Sequence, residues 1–139
     1  MSKTLPLIFA VTVTAVFTAC NLNCIHPSGN IITETREMGR LSGISLHTAG
    51  EVILTSGRSG VITVTSDENI QPLIQTEIRD DVLIISLDKC VSSLKTLVVE
   101  ASLEKIESLS VSGSGKITGT GSFSGNDAEI KISGSGDIN

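Results

Sequence analysis

Leu109-Ser-Val-Ser-Gly-Ser-Gly-Lys-Ile-Thr118 recurs 21 residues later as Ile130-Lys-Ile-Ser-Gly-Ser-Gly-Asp-Ile-Asn139. In each copy an alternating apolar/polar run meets a Ser/Gly turn and then another β-branched residue. Alternation with period two puts the apolar side chains on one face of a strand. Glycine lets the chain turn where φ is positive. The turn residues are Gly113, Gly115, Gly134, Gly136 and Asp137. A looser copy runs from Ile44 to Ile53. A recurrence of this length matches one coil of a solenoid, so about five or six coils of about 20–25 residues are expected. A Gly/Ser linker between ordinary strands is the competing reading, but a linker has no reason to repeat an apolar frame around its glycines.

Outward from this stretch the pattern stays that of strands. Val61–Thr65, Val82–Leu87 and Leu97–Ala101 are rich in Val, Ile, Leu and Thr. Asp80-Asp81 marks a turn. Asp67–Ile74 reads as a short helical turn, capped by Asp67 and limited by Pro72. No segment keeps a helical period over three turns. The chain is therefore expected to be all-β.

The N-terminus reads differently. Lys3 precedes an uncharged apolar run from Leu5 to Ala19, too short for a comfortable membrane span. Thr18-Ala19-Cys20 resembles the lipobox of bacterial lipoproteins, although Phe17 stands where Leu is usual. The expected organisation is a signal peptide over 1–19, a tether over 20–30 and a β-domain over 31–139. Cys20 is the expected lipidation site, and the acylated chain would hold the protein at a membrane. Cys24 and Cys90 remain; an envelope location permits a bridge between them, with two free thiols as the alternative.

Composition removes several function classes. The chain carries a net charge of −5, and loss of Lys3 with the leader makes the mature chain more negative still. An acidic domain is a poor partner for nucleic acid. Phe123 is the only aromatic residue beyond the leader, so aromatic sugar clefts and base-stacking platforms are not expected. His26 and His47 lack neighbouring ligands at metal-site spacing. Asp67-Glu68 and Asp80-Asp81 are adjacent pairs, which point to opposite faces of a strand and make poor acid/base partners. Gly134-Ser-Gly-Asp137 lacks the nine-residue period of calcium-binding repeats, and Lys116 replaces the Asp in the preceding copy. Ser112, Ser114, Ser133 and Ser135 have no nearby His to activate them. No catalytic residue, metal or cofactor is expected.

Ser28-Gly-Asn-Ile31, Glu34-Thr-Arg-Glu37 and Leu41-Ser-Gly-Ile-Ser-Leu46 come in an order similar to the opening of the GIN-domain family (DUF2807). Asp67–Ile70, Ile74–Ile78, Val82–Ile85 and the two Gly-Ser-Gly turns continue the resemblance over residues 28–139. It implies a right-handed parallel β-helix-like architecture, often on exported lipoproteins, with adhesion as the assigned role and no catalytic residues. Leu41 stands where the family tends to have an aromatic. Family members usually run past the second turn, so the chain reads as a short or truncated member. The expected function is a non-catalytic, outer-membrane-anchored lipoprotein that binds a protein or other surface macromolecule. The alternative is a structural protein that self-associates through an open solenoid end.

Overall fold

The computed structural model describes residues 23–139. The expected signal peptide and Cys20 lie outside the described residues. Eleven strands follow in order: β1 (Ile31–Glu37), β2 (Gly43–Leu46), β3 (Glu51–Ser56), β4 (Val61–Asp67), β5 (Ile74–Arg79), β6 (Val82–Leu87), β7 (Leu97–Leu103), β8 (Ser108–Gly113), β9 (Lys116–Thr120), β10 (Glu129–Gly134) and β11 (Asp137–Ile138). A 3-10 turn, Gln71–Leu73, precedes β5.

The strands form two sheets. One has the order β1-β4-β7-β3-β9-β11, the other β10-β8-β2-β6-β5. Period-two alternation gives each sheet one apolar face, and the two faces pack together. Ile44, Leu46, Leu83, Ile85, Leu109 and Val111 come from the five-stranded sheet. Val52, Leu54, Ile62, Val64, Val99, Leu103 and Ile117 meet them from the six-stranded sheet. Close packing also explains two of the predicted turn glycines. A Cβ on Gly115 would collide with Leu46 Cδ2, and one on Gly136 with Val111 Cγ1.

This arrangement corrects the expected right-handed parallel β-helix. Both sheets are mixed, and neither closes into a solenoid. β1 pairs antiparallel with β4, and β4 antiparallel with β7. Asp80 and Asp81 adopt φ of +51° and +60°, which folds β5 back on β6 as a two-residue antiparallel hairpin. A solenoid stacks successive coils in chain order, whereas β2 here lies between β6 and β8. The 21-residue recurrence does not propagate into five or six coils. It relates β8 and β9 to β10 and β11, with Ile130 beside Leu109 and Asp137 beside Lys116 in parallel. Asp67 does not cap the 3-10 turn either. It ends β4, Ile70 holds the cap position without a side-chain bond, and the Asp67 carboxylate accepts the Gly29 N–H at 2.6 Å.

The two ends of the sandwich differ. At one end Arg36 of β1 reaches across to the other sheet. Its guanidinium donates to Ile74 O at 2.8 Å, Thr76 Oγ1 at 3.1 Å, and Gln71 O and Oε1 at 3.2 Å. Gln71, itself buried, donates from Nε2 to Val64 O at 2.6 Å. At the other end β10 is exposed along its whole length.

Candidate functional site

One organised surface is the outer face of the six-stranded sheet. Cross-strand register sets it out in rows. Thr33, Thr65, Val98, Glu51, Lys116 and Asp137 form one row. Thr35, Thr63, Glu100, Ile53 and Thr118 form the next. Ser102, Thr55 and Thr120 continue the pattern. Neighbours within a row are about 4.8 Å apart because that is the strand spacing. Side chains on the opposite side of these strands are the core, so the Thr and Ser positions are fixed outward.

Many of the hydroxyls hold one another. Thr33 Oγ1 and Thr65 Oγ1 are 2.8 Å apart, and Thr55 Oγ1 and Ser102 Oγ are 2.9 Å apart. Thr63 donates to Glu100 at 2.9 Å and Thr118 to Glu51 at 3.3 Å. Each hydroxyl keeps further donor or acceptor capacity for a ligand. The face offers regularly spaced hydrogen-bonding groups rather than a cleft.

A second feature sits at the N-terminal corner. Cys24 and Cys90 form a disulfide with Cα atoms 4.6 Å apart. Next to it Ile25 bridges Val91 in parallel. That register carries His26 to Ser92, with Nδ1 and Oγ 2.6 Å apart. Beside them lies a cavity of about 280 Å³ lined by His26, Gly29, Asp67, Ser92, Lys95 and Thr96 among others. The Ser92–His26 pair was not legible as a motif, because its members are 66 residues apart. The matching offset of two residues from Cys24 and from Cys90 is the signal that could have found it. An activated serine needs its histidine oriented by a third group. Among the described residues no carboxylate bonds to the His26 ring, and the bonded oxygen of Asp67 is on Gly29 N.

The other predicted site residues are spread along the chain. Gly113 and Gly134 have φ of +119° and +110° and end β8 and β10. Asp137 opens β11 beside Lys116. His47 bonds to Ser45 Oγ at 2.7 Å through Nε2. Among the described residues no three His, Cys, Asp or Glu side chains converge at metal-binding distance. Glu107 is held below its ordinary carboxylate value, chiefly by the hydrogen bond from Lys105 and then by that from Ser42.

The family model described as "Putative auto-transporter adhesin, head GIN domain" (DUF2807) matches residues 40–139. The chain belongs to this GIN-domain family. The match begins after β1, so the opening segment from Ser28 to Glu37 lies outside it. Among curated proteins nothing matches significantly. Solved structures show the same fold. A putative adhesin from Bacteroides fragilis NCTC 9343 aligns with a TM-score of 0.75 at 22% identity, over 83% of this chain and 55% of its own. One from Parabacteroides merdae ATCC 43184 gives 0.72 at 18%, over 78% and 46%. A protein from Parabacteroides distasonis ATCC 8503, described as a putative lipid binding protein, gives 0.74 at 19%, over 82% and 50%. The GIN-domain chain thus spans about half the length of the structures it resembles.

Proposed function

We propose that this GIN-domain chain is a non-catalytic, exported envelope protein that binds a macromolecule through the outer face of its six-stranded sheet. The exposed array of Thr and Ser hydroxyls, bonded to one another or to a neighbouring glutamate, carries this reading. Groups already held in place lose little entropy when a partner docks. The adhesin description of the family supports the same role. Thr18-Ala19-Cys20 supports export and lipidation at Cys20, with anchoring at the outer membrane. The partner is a polar protein or surface polymer that offers repeated hydrogen-bonding groups.

Two measurements test the proposal. Beads coated with the folded chain are presented to envelope fractions, mucin and extracellular-matrix proteins. Saturable retention on one of these surfaces is expected; no saturable retention on any would overturn the binding role. The intact mass of protein extracted from membranes tests the anchor. A species beginning at Cys20 and carrying acyl chains is expected, and an unacylated product would remove the anchor.

A further inference from the structure

The hydroxyl rows of the six-stranded sheet end at a walled cavity. Two residues beyond Thr33 and Thr65 the register places Ile31 beside Asp67. Residues 26–31 supply one part of the lining and residues 92–96 another. Both segments are tied down. Asn69 Oδ1 accepts from Ser28 N at 2.9 Å, and Asn69 Nδ2 donates to His26 O at 2.8 Å. Ser66 Oγ donates to Thr96 O at 2.7 Å, and Ser92 N donates to Ile25 O at 2.9 Å. The Cys24–Cys90 bridge fastens the two segments to each other. The cavity of about 280 Å³ lies by β1 and β4, at the opposite end of that sheet's strand order from β11. Its volume equals that of about nine water molecules in the liquid.

Asp67 lines this cavity although it is only 2% exposed. Its Oδ1 accepts the Gly29 N–H at 2.6 Å. Its Oδ2 bonds to none of the described residues, and among these no partnerless side-chain oxygen is sealed from solvent. Oδ2 is therefore reached from the cavity. A confined carboxylate oxygen favours a charged donor. Lys95 lines the same cavity and forms no ion pair among the described residues. Its ammonium favours an anionic acceptor. Pro27 and Ile31 supply apolar lining, and Ile31 is left 45% exposed. His26 and Ser92, bonded to each other at 2.6 Å, add hydrogen-bonding capacity.

We infer that this cavity binds a small zwitterion: an ammonium and a carboxylate on a short apolar carbon chain, as in a free aliphatic amino acid. The ligand ammonium donates to Asp67 Oδ2. The ligand carboxylate accepts from Lys95 Nζ. The short carbon chain covers Pro27 and Ile31. The lining carries one carboxylate and one ammonium, which matches a ligand of no net charge. A simple anion would be drawn to Lys95 and repelled by Asp67, and a simple amine the reverse. Each half of the zwitterion alone therefore meets a repulsion along with its attraction, and the discrimination comes from both. The inference goes beyond the binding role of the hydroxyl rows and does not rest on it.

The test is titration of the full chain in detergent with three probes, followed by backbone amide shifts. The probes are 2-aminobutyrate, propylamine, which lacks its carboxylate, and butyrate, which lacks its ammonium. Saturable shifts at Gly29, Ser92 and Thr96 are expected with 2-aminobutyrate. Each half-probe is expected to bind at least about tenfold more weakly, the effect of losing one charge-assisted contact. Lys95→Gln changes an exposed side chain and is expected to bring 2-aminobutyrate down to the affinity of propylamine. Asp67→Asn keeps an acceptor for Gly29 N and removes the charge; it is expected to bring 2-aminobutyrate down to the affinity of butyrate. Circular dichroism checks the fold of both variants, and if Asp67→Asn fails to fold, Lys95→Gln and the probe series still decide. No saturable shift with 2-aminobutyrate overturns the inference. So do shifts confined to residues away from the cavity, equal affinity for all three probes, or an affinity that Lys95→Gln leaves unchanged.

Discussion

Arg36 shows how one side chain can join two sheets. It stands on the six-stranded sheet and satisfies two backbone carbonyls and the buried Gln71 amide oxygen at the edge of the other. Removing a charged donor from partly buried acceptors costs more than the average hydrogen bond. Arg36→Ala is expected to lower unfolding stability by about 3 kcal/mol, measured by urea denaturation, while Arg36→Lys retains only some of the network. A loss below about 0.5 kcal/mol, less than one ordinary hydrogen bond contributes, would mean that the guanidinium does not tie the sheets. Glu107 makes a pH-dependent contribution of known sign. Because its folded value lies below its unfolded one, its stabilisation is present above the unfolded value and is lost as pH falls through the folded one. Its side-chain carbon resonance is expected to titrate at lower pH in the wild type than in Lys105→Ala. Equal titration in the two would remove Lys105 as the cause. Neither role was legible beforehand. Arg36 appears in sequence as one charge between two glutamates, and what it reaches depends on which strand lies opposite.

At the scale of elements, strand existence was easier to read than strand direction. Val61–Thr65, Val82–Leu87 and Leu97–Ala101 lie within β4, β6 and β7. Alternation reveals which face a side chain takes, and that faces the core in either pairing direction. It says nothing of whether the neighbour runs parallel or antiparallel. The direction is set by connections such as Asp80-Asp81, where two consecutive positive φ values make a tight reversal. The turn was legible, but its power to convert a coil into a hairpin was outweighed by the Gly/Ser recurrence downstream. Asp81→Val places a β-branched residue at a φ of +60°. It is expected to destabilise the domain by about 1–2 kcal/mol, as read from the denaturation midpoint, whereas Asp81→Gly is expected to be neutral or stabilising. Equal midpoints for Val and Gly would show that this turn does not define the hairpin. The Ser92–His26 pair belongs at this scale too. It becomes visible only once residues 24–26 and 90–92 are laid side by side.

At the scale of the whole molecule, the sandwich is stapled at one corner. The Cys24–Cys90 bridge spans 66 residues, which in the loop-entropy account stabilises the fold by about 4 kcal/mol. Cys90→Ser is expected to lower the stability by about 3–4 kcal/mol and to speed amide exchange at Ile25 and Ser92, whose backbone bonds depend on the staple. Unchanged exchange there would show that the strand pairing holds without the bridge. The proposed binding surface is a property of the whole sheet, since its rows draw on strands from β1 to β11. The most direct test of that surface is a comparison of the two outer faces. Thr35→Arg/Thr55→Arg changes exposed positions of the six-stranded sheet, and Gln75→Arg/Ser112→Arg changes exposed positions of the five-stranded one. On the surface that retains the wild type, the dissociation constants of all three proteins are measured side by side. At least tenfold weaker binding by the first variant, with little change in the second, is the predicted result. Equal affinity of the first variant and the wild type would contradict the assignment of binding to the six-stranded face.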